Sequence, residues 1–426
     1  MILTMKMSRK KALLGISFIL IFLFSFSNGL HTKIYGSENN AILSLIIASA
    51  IVWYGVGHKL KRFTLHDLWI VVLIFILVFN NQDDKTYGTL TQSTLILILI
   101  WFIYLIIKDD NSWHEIECNI FLAFGIFHAT MTWITFFTPE FYIGTIAPLF
   151  GNNAGQVISQ YSKGWMPGLT PHYSTNGIYL GMTAVTAVAY LINFKKYRGK
   201  YLFYTLLIVS ALLLTGKRSQ TIALILASLI MYYLFCSNRK TTRVFKLVAI
   251  FVVTIAVFYI AAQYVPQLAN IVSRFEASIE NGDITYGRSA RFLATWQLFL
   301  EKPMFGIGWN GTIYYFKQLE GLVINTHNIY LQLLAETGIF GSMIYFGFII
   351  YNLYWGIKLL IAHRKGSFVP EITSVGFFLC NSVGTQIWII FYGMTGNPLY
   401  DYQSLYPYIV MCAVTFYYKK RYMSNR

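Results

Sequence analysis

"LLLTGKRSQTIALIL", Leu212 to Leu226, sets two adjacent cations among a few polar residues between two oily runs. The runs on either side, about 201–216 and 219–236, are long and apolar enough to cross a bilayer as helices. Lys217 and Arg218 have almost no loop around them, so the joint reads as a tight hairpin at a membrane surface. The same grammar runs along the whole chain. Of its 426 residues, 56% are apolar and only 12% charged, and the mean hydropathy is +0.54. Stretches such as Ala12–Phe26 and Val244–Val265 are too oily for a soluble core. The fold class is therefore all-α and polytopic, an integral membrane protein.

Twelve spans are expected, near 11–29, 40–57, 65–80, 91–107, 116–138, 172–194, 201–216, 219–236, 244–265, 336–361, 371–393 and 404–418. They divide the chain into five parts. Residues 1–138 hold helices 1–5 and 139–171 an outer loop. Residues 172–265 hold helices 6–9 with the Lys-Arg hairpin, 266–335 a long extracytoplasmic loop, and 336–426 helices 10–12 with the tail. The N-terminal basic residues and apolar run resemble a signal peptide, but no small-residue cleavage site follows "FSFSNGL", so this segment reads as an uncleaved first helix.

The net charge of +16 does not mark a nucleic-acid binder. The Lys and Arg residues sit in short clusters between apolar runs, as juxtamembrane anchors do. With both termini placed in the cytoplasm, 23 of the 33 cations fall on cytoplasmic pieces. Most of the ten outer ones belong to long loops, where charge says little about orientation. Lys217 and Arg218 do not, and a charge pair held at the membrane surface against the rule suggests a function. Cys118, Cys236, Cys380 and Cys412 lack metal spacing and read as small buried hydrophobes.

The long loop carries "YGRSARFLATWQLFLEKPMFGIGWNG", Tyr286 to Gly311. Phe292, Leu293, Trp296, Phe299 and Leu300 form one apolar stripe at helical spacing, with Arg288 and Arg291 three apart beside it. Pro303 ends that helix. "GIGWNG" has the letters of a dinucleotide fingerprint but no strand before it, so it reads as a turn that lets backbones pack closely. Helical periodicity resumes near Asn328 and runs into the tenth span, with Thr326 or Asn328 as its cap and His327 at its start. Guanidinium forks bind phosphate bidentately. A histidine beside them can take a proton from a sugar hydroxyl. Asp83, Asp84, Asp109, Asp110, Glu276, Glu280 and Asp283 form no cluster built for a divalent metal. The chemistry expected is metal-free and cofactor-free transfer from a lipid diphosphate. Trp165, Trp309, Tyr314 and Tyr315 are candidates for stacking on sugars.

"GRSARF…EKPMFGIG…THNIYLQLLAETGIFG" resembles the C-terminal signature of the O-antigen ligase and polymerase superfamily. "LLLTGKRSQTIAL" resembles that family's earlier arginine hairpin, and "GLTPHYSTNGIYL" its passage from outer loop to helix. The resemblance implies a GT-C-like helical bundle in a bacterial plasma membrane. Its donor and acceptor would be glycans on undecaprenyl diphosphate, with a flippase and a chain-length regulator as partners. Arg218 and a loop arginine, Arg288 in preference to Arg291, would hold the diphosphate beside Lys217, and His327 would be catalytic. Many members have a Trp four residues after the Gly-Arg, where this chain has Phe292. The activity implied is repeat-unit polymerisation into capsule, exopolysaccharide or O-antigen. A ligase acting on a lipid or protein acceptor is the alternative, and a flippase or transporter the alternative of another class.

Overall fold

The computed structural model describes residues 65–79, 111–235, 287–321, 324–368 and 374–424, with scattered positions in 94–109 and 242–269. The first two expected spans lie outside the described residues, as do nearly all of the ninth and Cys236. Among the described residues every regular element is helical. They are α1 (Leu65–Phe79), α2 (Ser112–Phe137), α3 (Ala154–Ser162), α4 (Tyr173–Asn193), α5 (Arg198–Leu214), α6 (Arg218–Phe235), α7 (Ser289–Glu301), α8 (Gly311–Glu320), α9 (Ile329–Arg364), α10 (Val375–Gly393) and α11 (Tyr402–Ser424). Among the described residues, six helices have the length and hydropathy to cross a membrane: α2, α4, α5 with the short turn before it, α6, α9 and α10.

Burial sorts these helices into a centre and a rim. α10 is sheathed by α4, α6, α9 and α11, and nearly every residue from Val375 to Ile389 is buried. Close approach is allowed by glycine. A Cβ on Gly181 of α4 would stand 2.7 Å from the Trp388 ring of α10, and one on Gly384 would strike Met231 of α6. The rim helices turn apolar side chains outward, among them Leu202, Phe203 and Leu206 on α5 and Met343 and Ile350 on α9. That pattern suits a lipid surround, which has no hydrophobic reason to reject them.

Lipid also requires polar groups to find partners inside the protein. Ser382 of α10 donates to the Met411 carbonyl at 2.7 Å and shares a hydrogen bond with Thr415 of α11. Thr186 of α4 bonds Asn381, and Tyr406 of α11 donates to the Glu117 carboxylate at 2.8 Å. Lys108 is buried and ion-paired with Asp67.

Two segments depart from the sequence reading. The stretch 139–171 is largely helical rather than a loop. It coils through a π-turn at Tyr142–Ile146 and a 3-10 turn at Ala147–Asn153 into α3. Tyr142, Ile146, Phe150 and Val157 bury against one another to make a small core of its own. The periodicity that runs past Asn328 is not one straight helix either, because α9 breaks at Gly338 with φ 63° and ψ −169°.

Candidate functional site

The break in α9 organises the site. In an unbroken helix the N–H groups of Ile339 and Phe340 would donate to the carbonyls of Ala335 and Glu336. Here they donate instead to Pro303 at 2.8 Å and Met304 at 3.3 Å. The vacated carbonyls of Ala335 and Glu336 accept from Ile307 at 2.9 Å and Gly308 at 3.0 Å. The turn "PMFGIG" is thus inserted into the helix ladder. Only glycine permits it: a Cβ on Gly306 would lie 2.4 Å from the Glu336 carbonyl, and one on Gly338 2.3 Å from the Met304 carbonyl. The expectation that these glycines let backbones approach is met, and the approach is to α9.

The Glu336 side chain locks the same joint from inside. It accepts from the backbone N–H of Asn310 at 2.8 Å and of Thr312 at 3.2 Å. It also accepts from the Thr312 hydroxyl, from Tyr400 at 2.6 Å and from Gln332 at 3.1 Å. Gln332 in turn binds Asn325, two residues before His327, and receives the amide of Asn397. One buried carboxylate therefore ties the turn, the start of α9 and the loop before α11 together.

α7 packs on this joint through Leu298 and Phe299, against Ala335. Its apolar residues do not form the single stripe expected. Leu293, Trp296 and Leu300 face outward while Thr295, Leu298 and Phe299 face α9. A helix lodged between a bundle and lipid is apolar on two faces.

Arg288 stands at the N-cap position of α7, in helical backbone one turn before Arg291. Its guanidinium donates to the Thr395 carbonyl at 3.1 Å, in the loop after α10. Arg291 donates to Glu320 of α8 through Nη2 at 2.9 Å and Nε at 3.3 Å.

His327 precedes α9 and sits in left-handed backbone at φ 60°, rare for a side chain with a Cβ. It is not the cap. Asn328 caps α9, accepting from Tyr330 at 3.0 Å and Leu331 at 3.2 Å, and Thr326 is buried against Thr295. That leaves the His327 ring half-buried, with no hydrogen bond to another described residue.

The Lys-Arg hairpin turns at Gly216, with φ 71°. Lys217 lies 4.5 Å from the Tyr173 ring centroid, and Arg218 begins α6. Tyr173 stacks on Trp165 at 4.7 Å, and Lys163 covers Trp165. The Trp165 ring thus has both Tyr173 and Lys163 against it and is half-buried. Trp309 is buried, stacked on Tyr400 at 4.2 Å and on Tyr345. The two tryptophans offered as sugar platforms are therefore packed against protein.

All these pieces meet at one end of the bundle, where α4, α6, α9 and α11 begin and α5 and α10 end. Their charges act on one another. Burial first, then Arg288, Lys217, Arg291 and His172, hold the His327 pKa down at about 3. Arg288 is itself pushed down, by burial and by Arg291 and Arg218. Asp401, just before α11, is raised to about 7 by burial, with Lys217 pulling the other way.

His172 and Asp401 were not singled out by the sequence reading. His172 is visible in "TPHYSTNG" as the residue before a helix, but its type is not a usual cap. Asp401 has no local signal at all, since only the return of α10 brings it beside Lys217. Among the described residues no three His, Cys, Asp or Glu side chains come together as metal ligands.

The architecture is that of an all-α polytopic membrane protein, with basic groups gathered around a histidine where helices meet an inserted turn. Residues 203–346 match the family model described as O-Antigen ligase. The match takes in the hairpin, α7, the inserted turn, His327 and the Gly338 break, and is consistent with the O-antigen ligase and polymerase superfamily. No curated protein matches the chain.

Proposed function

We propose that this protein is a membrane glycosyltransferase that joins glycan units carried on undecaprenyl diphosphate into a polysaccharide, at the outer face of a bacterial plasma membrane. The observation that carries the reading is His327: a half-buried ring with no hydrogen-bond partner among the described residues, inside the matched segment, among groups that favour its neutral form. A neutral imidazole can accept a proton. In the reaction, a hydroxyl oxygen of the acceptor glycan attacks the anomeric carbon of the donor. The bond from that carbon to the phosphate oxygen breaks, and its electron pair leaves with the lipid diphosphate. His327 takes the hydroxyl proton and can return it to the departing diphosphate. Lys217, Arg218 and Arg288 hold the diphosphate and stabilise the charge it gains.

Arg288 is preferred to Arg291 because the Arg291 fork is already engaged by Glu320. The outer placement is supported by the opposite end of the bundle. There Lys195, Lys196, Arg198 and Lys200 cluster, along with Arg364 and Lys365 and with Lys419, Lys420 and Arg421, as cytoplasmic ends do. On this reading a flippase delivers the lipid-linked units, and a chain-length regulator is a further partner.

The family description favours a second reading, in which a finished glycan moves to a lipid or protein acceptor. Purified protein given only lipid-linked repeat units separates the two. Polymer formation without any other acceptor supports polymerisation. If no polymer forms until a lipid or protein acceptor is added, the enzyme is a ligase. In cells, loss of the gene should leave single lipid-linked repeats accumulating.

A further inference from the structure

The N-cap of α4 is a histidine. His172 Nδ1 accepts the backbone N–H of Ser174 at 3.1 Å. A ring nitrogen that accepts an N–H presents its lone pair there, so the neutral ring carries its proton on Nε2. The other tautomer, or the imidazolium, would set one N–H against another.

The residue is fixed in place. Its backbone is extended, and its carbonyl accepts from Thr170 Oγ1 at 2.8 Å and from the N–H groups of Thr175 and Asn176. Its ring packs on Tyr173 at 4.5 Å between centroids, and the Tyr173 N–H is held by Gln160 at 2.9 Å. Nε2–H has no acceptor among the described residues. Lys217 acts on His172, and His172 acts on His327, so the ring belongs to the same basic cluster.

Lysine and arginine supply charge to this cluster. His172 supplies a neutral donor of fixed direction. Its surroundings favour an anionic acceptor, because the Lys217 ammonium and the His172 ring both pack on Tyr173, each 4.5 Å from its ring centroid.

We propose that His172 is a binding residue of this site, donating through Nε2–H to a diphosphate oxygen of the lipid-linked donor. The two histidines then divide the work: His172 donates and is barred by its cap bond from accepting, and His327 accepts. The proposal rests on the reading above of a lipid diphosphate substrate.

The test is binding of undecaprenyl diphosphate, and separately of inorganic pyrophosphate, to the full chain in lipid nanodiscs. Wild type is compared with His172→Asn and His172→Ala. Asparagine is a good N-cap, so His172→Asn should keep the wild-type melting midpoint while both ligands bind about ten- to a hundredfold more weakly, as for a lost hydrogen bond to a charged group. His172→Ala should lose the same affinity and also melt lower. If His172→Asn binds both ligands as wild type does, His172 is a cap only and the proposal falls. A loss confined to the lipid would put the contact on the hydrocarbon chain and also overturn it. Wild type that binds neither ligand removes the diphosphate reading itself, an outcome distinct from equal binding by wild type and variant.

Discussion

At the scale of single residues, His327 combines left-handed backbone with a ring held neutral. Its pKa falls from 6.5 to about 3, through burial first and then through Arg288, Lys217, Arg291 and His172. A group depressed in this way is protonated in the unfolded chain below 6.5 and stays neutral in the folded one down to about 3. Stability is therefore full above 6.5 and is lost as the pH falls through that window. His172, lowered to about 4 by burial and Lys217, acts in the same direction. Melting midpoints between neutral and mildly acidic pH should drop less steeply once both histidines are replaced by asparagine. For catalysis, kcat/KM reports the free enzyme, so it should show no acid limb near 6.5 from His327. Asparagine tolerates left-handed backbone, so His327→Asn is a cleaner test than alanine. It should fold, retain donor and lose about 10²–10⁴-fold in turnover; near-normal turnover would remove His327 from the chemistry. Arg288→Lys should fail almost as badly as Arg288→Ala, because a point charge does not replace a fork. Arg291→Lys disturbs a partly exposed ion pair with Glu320, worth about 0–1 kcal/mol, and should keep most activity. Donor binding by the purified variants measures both.

At the scale of elements, the joint between the inserted turn and broken α9 is the part most sensitive to small changes. Gly338 occupies a conformation that is essentially glycine-only, and the Met304 carbonyl stands where its Cβ would go. Gly338→Ala should cost more than about 1–3 kcal/mol, seen as a lower melting midpoint, with loss of activity because α7 and the start of α9 shift together. Glu336→Ala removes the acceptor shared by Asn310, Thr312, Gln332 and Tyr400. At about 1–3 kcal/mol per orphaned buried group, it should unfold the joint outright. A Glu336→Ala variant with a wild-type melting profile would show that the carboxylate does not hold this joint.

At the scale of the whole molecule, the ends of the helices carry the orientation. The hairpin at Gly216 and the turn at Lys195–Tyr197 lie at opposite ends of α5. A cysteine at position 217 should react with an impermeant thiol reagent in intact cells, and one at position 198 should not. The reverse pattern would turn the bundle over and place the site in the cytoplasm. The outward Leu293, Trp296 and Leu300 of α7 lie on the face that lipid should cover, and the same reagent should be shielded from a cysteine at 300.

The sequence by itself determined that this chain is a membrane-spanning helical bundle, because runs of apolar residues near bilayer length leave the backbone no other way to satisfy its polar groups. It also narrowed the cap of α9 to Thr326 or Asn328 and placed the end of α7 before Pro303 and the glycine-rich turn, since caps and breakers act on their own neighbours in the chain. What it could not contain is whatever depends on two distant segments meeting. The exchange of hydrogen bonds between Pro303–Gly308 and Ala335–Phe340 has no local pattern, so periodicity read one helix where there are two pieces. Trp165 and Trp309 look alike in the sequence until packing shows Trp309 buried and Trp165 stacked on Tyr173. The preference for Arg288 over Arg291 came from sequence spacing, but what each fork touches did not: Glu320 of α8 holds Arg291, and Arg288 reaches Thr395 beyond α10. His172 became part of the site by the same route: a capping bond three atoms from its own backbone fixes the tautomer, but only tertiary structure sets that ring beside Lys217 and His327.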